Sequence, residues 1–83
     1  MDHLARTPLQ IGTLIRRVRK KHGWNQGELA DKAGLRQATV SLIETGHGAA
    51  KLDTLLRVLA ALDLELKISA RRKSSPADIE ELL

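Results

Sequence analysis

Arg6, Arg16, Arg17, Arg19, Lys20 and Lys21 stand in the first 24 residues against Asp2 alone. The whole 83-residue chain carries a formal net charge of +4, so the excess of cations is concentrated near its start. Such a cluster suits a polyanionic partner, either nucleic acid or an acidic membrane surface, although many solvated helix faces are equally basic. Bond-making chemistry finds no comparable support. With no cysteine there is no thiol nucleophile, no disulfide and no thiolate zinc site. His3, His22 and His47 are too scattered in sequence for a metal cluster. No Ser/His/Asp register, phosphate-cradling glycine loop or paired-carboxylate site is evident. Asp78, Glu80 and Glu81 fall in a tail too exposed to build one. The chain is expected not to be an enzyme and to need neither cofactor nor metal.

A more specific constellation lies in residues 26–45. A helix-turn-helix needs a small residue midway along its first helix, so that the second can approach. Its turn needs a residue tolerant of positive φ, and its second helix a buried aliphatic that locks the two together. Ala30, Gly34 and Val40 meet these needs in register, with Leu29, Leu35 and Ile43 as further core positions.

The flanking pattern predicts the elements that must hold this unit. Thr7 can cap a first helix, with Pro8 at its first position and Gln10 closing a capping box. Ile11, Leu14, Ile15 and Val18 then follow helical spacing, while Arg16, Arg17, Lys20 and Lys21 fall mostly off that face. Gly12 inside the helix costs about 1 kcal/mol relative to Ala, and close packing by a neighbour would explain it. Gly23 suits a stop. Asn25 and Glu28 form a second capping box for a short helix ending at Gly34. A third runs from Arg36 or Gln37 to Glu44, and Gly46 and Gly48 mark the following loop. A fourth begins near Leu52 and is expected to bury Leu52, Leu55, Leu56, Leu59 and Leu62 on one face.

Beyond it the period changes. Leu64 to Ser69 alternates apolar and polar residues, which predicts a half-buried strand with Leu64, Leu66 and Ile68 on its apolar side. A lone strand leaves its backbone groups unpaired, and the same strand of a second copy, antiparallel about a two-fold axis, is the favoured partner. The alternatives are an extension of the fourth helix or a loose segment. Residues 71–75 read as an exposed linker. Pro76 to Leu83 can form a turn or two of amphipathic helix, although most such tails are disordered. Its apolar Ile79, Leu82 and Leu83 leave room for docking on a partner.

The segment QGELADKAGLRQATVSLIETG resembles the helix-turn-helix of the Cro/lambda-repressor-like (XRE) family: a glutamine, then Leu-Ala, Gly, an aliphatic and Glu-x-Gly. The similarity covers about residues 9–63. With the strand and tail, the chain resembles the HipB-type antitoxins nearly end to end. That resemblance implies a dimeric operator-binding repressor that also neutralises a HipA-like kinase toxin. The other function class is a stand-alone regulator of phage-repressor type.

The resemblance also implies residue roles. Gln26, opening the second helix, would contact a phosphate with help from the helix dipole. Gln37 would read adenine through a bidentate amide, and Arg36 would take guanine or a phosphate. Ala38 and Thr39 would approach bases by size or methyl contact, and Ser41 would bond a base or the backbone. Thr45, Lys51 and the backbone near Gly46–Gly48 lie at the end of the reading helix and in the loop that meets DNA. Leu42 departs from the pattern, where many relatives are polar; it would touch a thymine methyl or simply pack. The duller reading of both glutamines is that they are first-turn helix residues. Arg19 is paired by the family pattern with the glutamate of Glu-x-Gly, here Glu44, giving a partly buried structural pair rather than a DNA contact. Trp24 reads as a core plug, and one aromatic argues against single-stranded nucleic acid.

The expected fold is therefore mainly α. A four-to-five-helix, lambda-repressor-like DNA-binding domain spans residues 7–63, a β-strand at 64–70 pairs across a homodimer, and 71–83 forms a flexible C-terminal tail. Expected partners are a palindromic double-stranded operator, a second copy and a HipA-like toxin, without a membrane. No apolar run approaches the roughly 20 residues of a span, so a cytoplasmic location is expected.

Overall fold

The first two helices begin where a side chain meets an open N–H group of the first turn. The computed structural model describes residues 3–47 and 50–71. In α1 (Pro8–Lys21) the Thr7 hydroxyl accepts the Gln10 N–H at 3.1 Å, and Pro8 takes the first position. Gln10 does not close the expected box. Its Oε1 accepts the N–H of Arg6 at 2.6 Å, one residue before the cap, and so fixes how the chain enters the helix. In α2 (Gln26–Ala33) the box is complete: Asn25 Oδ1 accepts the Glu28 N–H at 2.8 Å, and Glu28 Oε1 accepts the Asn25 N–H at 3.0 Å. Neither α3 (Gln37–Glu44) nor α4 (Leu52–Ala61) has a side-chain cap. Helices this short draw their stability from packing rather than propensity.

That packing is centred on the helix-turn-helix. Gly34 ends α2 in the left-handed region, with φ 69°, and the Leu35 N–H closes onto the Ala30 carbonyl at 2.8 Å. A Cβ is strained in that conformation, which is why a glycine stands at the turn. The chain then re-enters α3 with Val40 fully buried beside Leu29 and Ala30. α3 lies against both α1 and α2, and α4 closes the other side of α2. Ile15, Ala33, Ile43, Val58 and Leu62 complete the buried centre, so every helix contributes to one aliphatic core. Gly12 belongs to this arrangement. A Cβ there would stand 2.7 Å from the Glu44 carbonyl oxygen and closer still to that of Ile43. The backbone of α3 therefore occupies the space a side chain would need, and the helix-propensity cost of glycine is accepted for that approach.

The burial expected of α4 needs correction. Leu55, Leu59 and Leu62 do turn inward, with Val58 at the centre of the face. Leu52 and Leu56 do not: Leu52 is 63% exposed, and Leu56 is also exposed. At about 100° per residue, positions 55, 58, 59 and 62 share the inward face, whereas 52 lies about 120° and 56 about 160° round the helix from Val58. These two leucines lie on apolar surface that a single chain leaves uncovered.

α4 does not run on into residues 64–69. Asp63 adopts φ 60° and turns the chain, and the Leu64 N–H closes onto the Leu59 carbonyl at 2.7 Å, a glycine-type helix stop made without glycine. Leu64 packs partly against the core, whereas Leu66 is exposed and Ile68 is 90% exposed. No strand is present among the described residues, and 64–70 has no regular structure within one chain. The expected Gly48 turn and the tail from 72 onward lie outside the described residues.

Candidate nucleic-acid interface

Eight residues of α3 divide cleanly between two faces. Val40, Ile43 and Glu44 are buried, whereas Gln37, Ala38 and Leu42 are exposed and Thr39 and Ser41 half-buried. With Arg36 just before the helix and Thr45 just after it, both exposed, this makes one continuous outward strip. Leu42 is 53% exposed, so packing within the chain does not account for it. The strip offers a guanidinium, an amide, hydroxyls, a methyl-sized side chain and an isobutyl group, which are the group types that pair with base edges in a major groove. Lys51 is exposed before α4, and Arg16, Arg17, Lys20 and Lys21 are exposed on α1.

Gln37 stands beside Gly27 across the turn. Its Oε1 lies 3.5 Å from where a Cβ of Gly27 would be, so the amide rests over the first turn of α2. Gln26 is half-buried at the start of that helix, where the backbone dipole favours an anion. Its Nε2 donates to Glu44 Oε1 at 3.1 Å.

Glu44 is the centre of a buried polar cluster. Arg19 Nε donates to Glu44 Oε2 at 2.6 Å and Nη2 to Oε1 at 2.9 Å, a two-pronged pair in which Arg19 is 7% and Glu44 5% exposed. Arg19 Nη1 donates to the Trp24 carbonyl at 2.8 Å. The hydrogen bond and the negative charge of Glu44 together raise the Arg19 pKa above its ordinary value, against the opposing effect of burial. One guanidinium thus ties the end of α1 to the entry of α2 and the end of α3.

Several side-chain contacts were not legible from spacing. The Thr45 hydroxyl turns back onto its own helix, donating to the carbonyls of Ser41 and Leu42 at 3.0 and 3.1 Å, and lies 3.1 Å from His47 Nδ1. Trp24 is half-buried against the core, stacked on His22 with ring centroids 4.4 Å apart, and Lys32 Nζ sits 4.6 Å from its ring centre. His22 Nε2 also lies 3.3 Å from the Leu62 carbonyl, joining the ends of α1 and α4. The bond between Gln26 and Glu44 spans two ends of the motif, and no local pattern announces it.

No helix among the described residues is long and apolar enough to cross a membrane. A helix-turn-helix family model matches residues 15–68. The chain is 33% identical over 75 residues to the antitoxin HipB of Escherichia coli K12, covering 90% of this chain and 85% of that protein. It is 38% identical over 76 residues to an uncharacterized HTH-type transcriptional regulator, y4mF, of Sinorhizobium fredii, covering 88% of this chain and 100% of the other. Among solved structures it matches a chain of the HipA-HipB-O2-O3 complex with a TM-score of 0.78 and 31% identity, covering 86% of this chain and 100% of that one. On the packing of α2 against α3 and on these matches, the chain belongs to the helix-turn-helix family and is a DNA-binding regulator that resembles the HipB antitoxin.

Proposed function

We propose that this chain is a cytoplasmic, homodimeric repressor that binds a palindromic operator and serves as the antitoxin of a HipBA-type module. In this reading it represses its own operon by occupying the promoter and holds a HipA-like kinase toxin inactive. The observation that carries the proposal is the extent of the match. HipB is covered over 85% of its length, and the matched solved chain, seen together with HipA and O2-O3, over its whole length. The likeness therefore extends past the DNA-reading unit alone. The uncovered apolar surface at Leu52, Leu56, Leu66 and Ile68 supports the second copy. Pairing of 64–70 with the same segment of that copy would give it the ladder that a strand needs and bury these side chains.

Within each protomer, α3 is the proposed reading helix. Gln37 addresses adenine, Arg36 guanine or a phosphate, Ala38, Thr39 and Leu42 the apolar edges of bases, and Ser41 a base or the backbone. Gln26, Lys51 and the backbone after Thr45 hold phosphates and set the register. The two reading helices would enter successive major grooves about 34–36 Å apart.

A second reading, a stand-alone regulator without a toxin, is favoured by the complete coverage of the y4mF regulator. Co-expression with the product of the adjacent reading frame separates the two. The antitoxin reading expects a stable ternary complex with operator DNA, and loss of the toxin but not of DNA when residues 71–83 are removed. Recovery of a DNA-binding dimer alone supports the second reading.

A further inference from the structure

Gln26 is held before any DNA arrives. Its Nε2 donates to Glu44 Oε1 at 3.1 Å, and Glu44 cannot move, because both its oxygens are also engaged by Arg19, at 2.6 and 2.9 Å. A carboxylate only accepts, so it takes the nitrogen end of the amide and dictates which way the amide faces. That nitrogen carries two hydrogens, and the second makes no hydrogen bond among the described residues. A phosphate is also an acceptor only. The N–H that remains is therefore the kind of group a phosphate needs, at the helix start where a phosphate is favoured.

We propose that Glu44, neutralised by Arg19, is a positioning residue that presets the Gln26 amide for a backbone phosphate. The inference rests on the DNA-binding reading and on a phosphate role for Gln26. The buried pair then has two functions. It clamps three helix ends, and it holds a flexible side chain in its bound orientation, so that this ordering is not lost from the affinity. Arg19 is essential to the second function as well as the first. A bare carboxylate beside the contact would repel the phosphate, whereas the pair presents no net charge.

Removing Glu44 alone would leave Arg19 buried and unpaired, and the chain can then fail to fold. The test therefore replaces both partners, Arg19→Met with Glu44→Leu, because apolar groups of similar volume commonly substitute for a buried pair without loss of stability. The wild type, Gln26→Ala, the pair replacement and the triple variant are titrated with a mixed-sequence duplex of about 30 base pairs at low salt, where phosphate contacts dominate. In parallel, the order of the Gln26 side-chain amide is measured by NMR relaxation in the free protein.

The pair replacement should keep the wild-type circular dichroism, weaken duplex binding roughly two- to tenfold, and mobilise the Gln26 amide. Gln26→Ala should then cost much less in the replaced background than in the wild type. Equal costs in both backgrounds, or an amide as ordered without Glu44 as with it, would overturn the tether while leaving the DNA reading intact. A wild type that binds no duplex would overturn that reading, and the inference with it.

Discussion

At the scale of single residues, the charged pair and the reading amide make different demands. Arg19 and Glu44 are nearly fully buried, so breaking the pair from one side leaves an uncompensated charge in the core. Glu44→Ala is expected to destabilise the fold by about 3–5 kcal/mol, read as a lower urea midpoint with an unchanged slope. Gln37 is exposed and holds nothing together, so Gln37→Ala should leave stability untouched. Its effect should appear as about 1–3 kcal/mol weaker operator binding and poorer discrimination against scrambled DNA, measured by fluorescence anisotropy. The pairing of Arg19 with Glu44 follows from family resemblance, since nothing in a separation of 25 residues points to it. The bond from Gln26 to the same carboxylate was beyond reach, because it depends on a side-chain torsion that only the assembled motif selects.

At the scale of elements, caps and glycines made the chain legible. Thr7 and Asn25 mark the starts of α1 and α2, and Gly34 marks the turn, since each satisfies a backbone requirement of its immediate neighbours. Gly12 shows a tertiary demand overriding a local one. By propensity, Gly12→Ala should stabilise α1 by about 1 kcal/mol. Because the new methyl would meet the backbone of α3, the variant is expected to lose about 1–3 kcal/mol instead, visible as a lower thermal midpoint. The burial of α4 was less legible. Leucines at 52, 55, 56, 59 and 62 form an apolar arc wider than the one chain needs, and sequence alone does not say which edge a second molecule would cover. The end of α4 was hidden too, because Asp63 takes a left-handed conformation where glycine is the usual signal.

At the scale of the whole molecule, a single chain leaves work undone. Its core is small and aliphatic, and Ile68, Leu66, Leu52 and Leu56 remain outside it. The proposed dimer resolves both features by covering that surface and pairing residues 64–70. Ile68→Lys combined with Leu66→Lys should therefore shift the protein toward monomer in sedimentation velocity while its helical content is retained. A variant that sediments as a dimer would exclude this segment as the interface. The alternation at 64–69 was visible in the sequence, but a strand exists only with a partner, so the single chain cannot display it.

In the proposed function, α3 reads DNA as one of a symmetric pair. Hydroxyl-radical footprinting on the DNA upstream of the protein's own reading frame tests it most directly, with wild type and Gln37→Ala side by side. Two protected patches are expected, their centres about one helical turn apart on a palindrome, fading for the variant at protein concentrations that saturate the wild type. Uniform protection without a two-fold pattern, or identical footprints from both proteins, would contradict it.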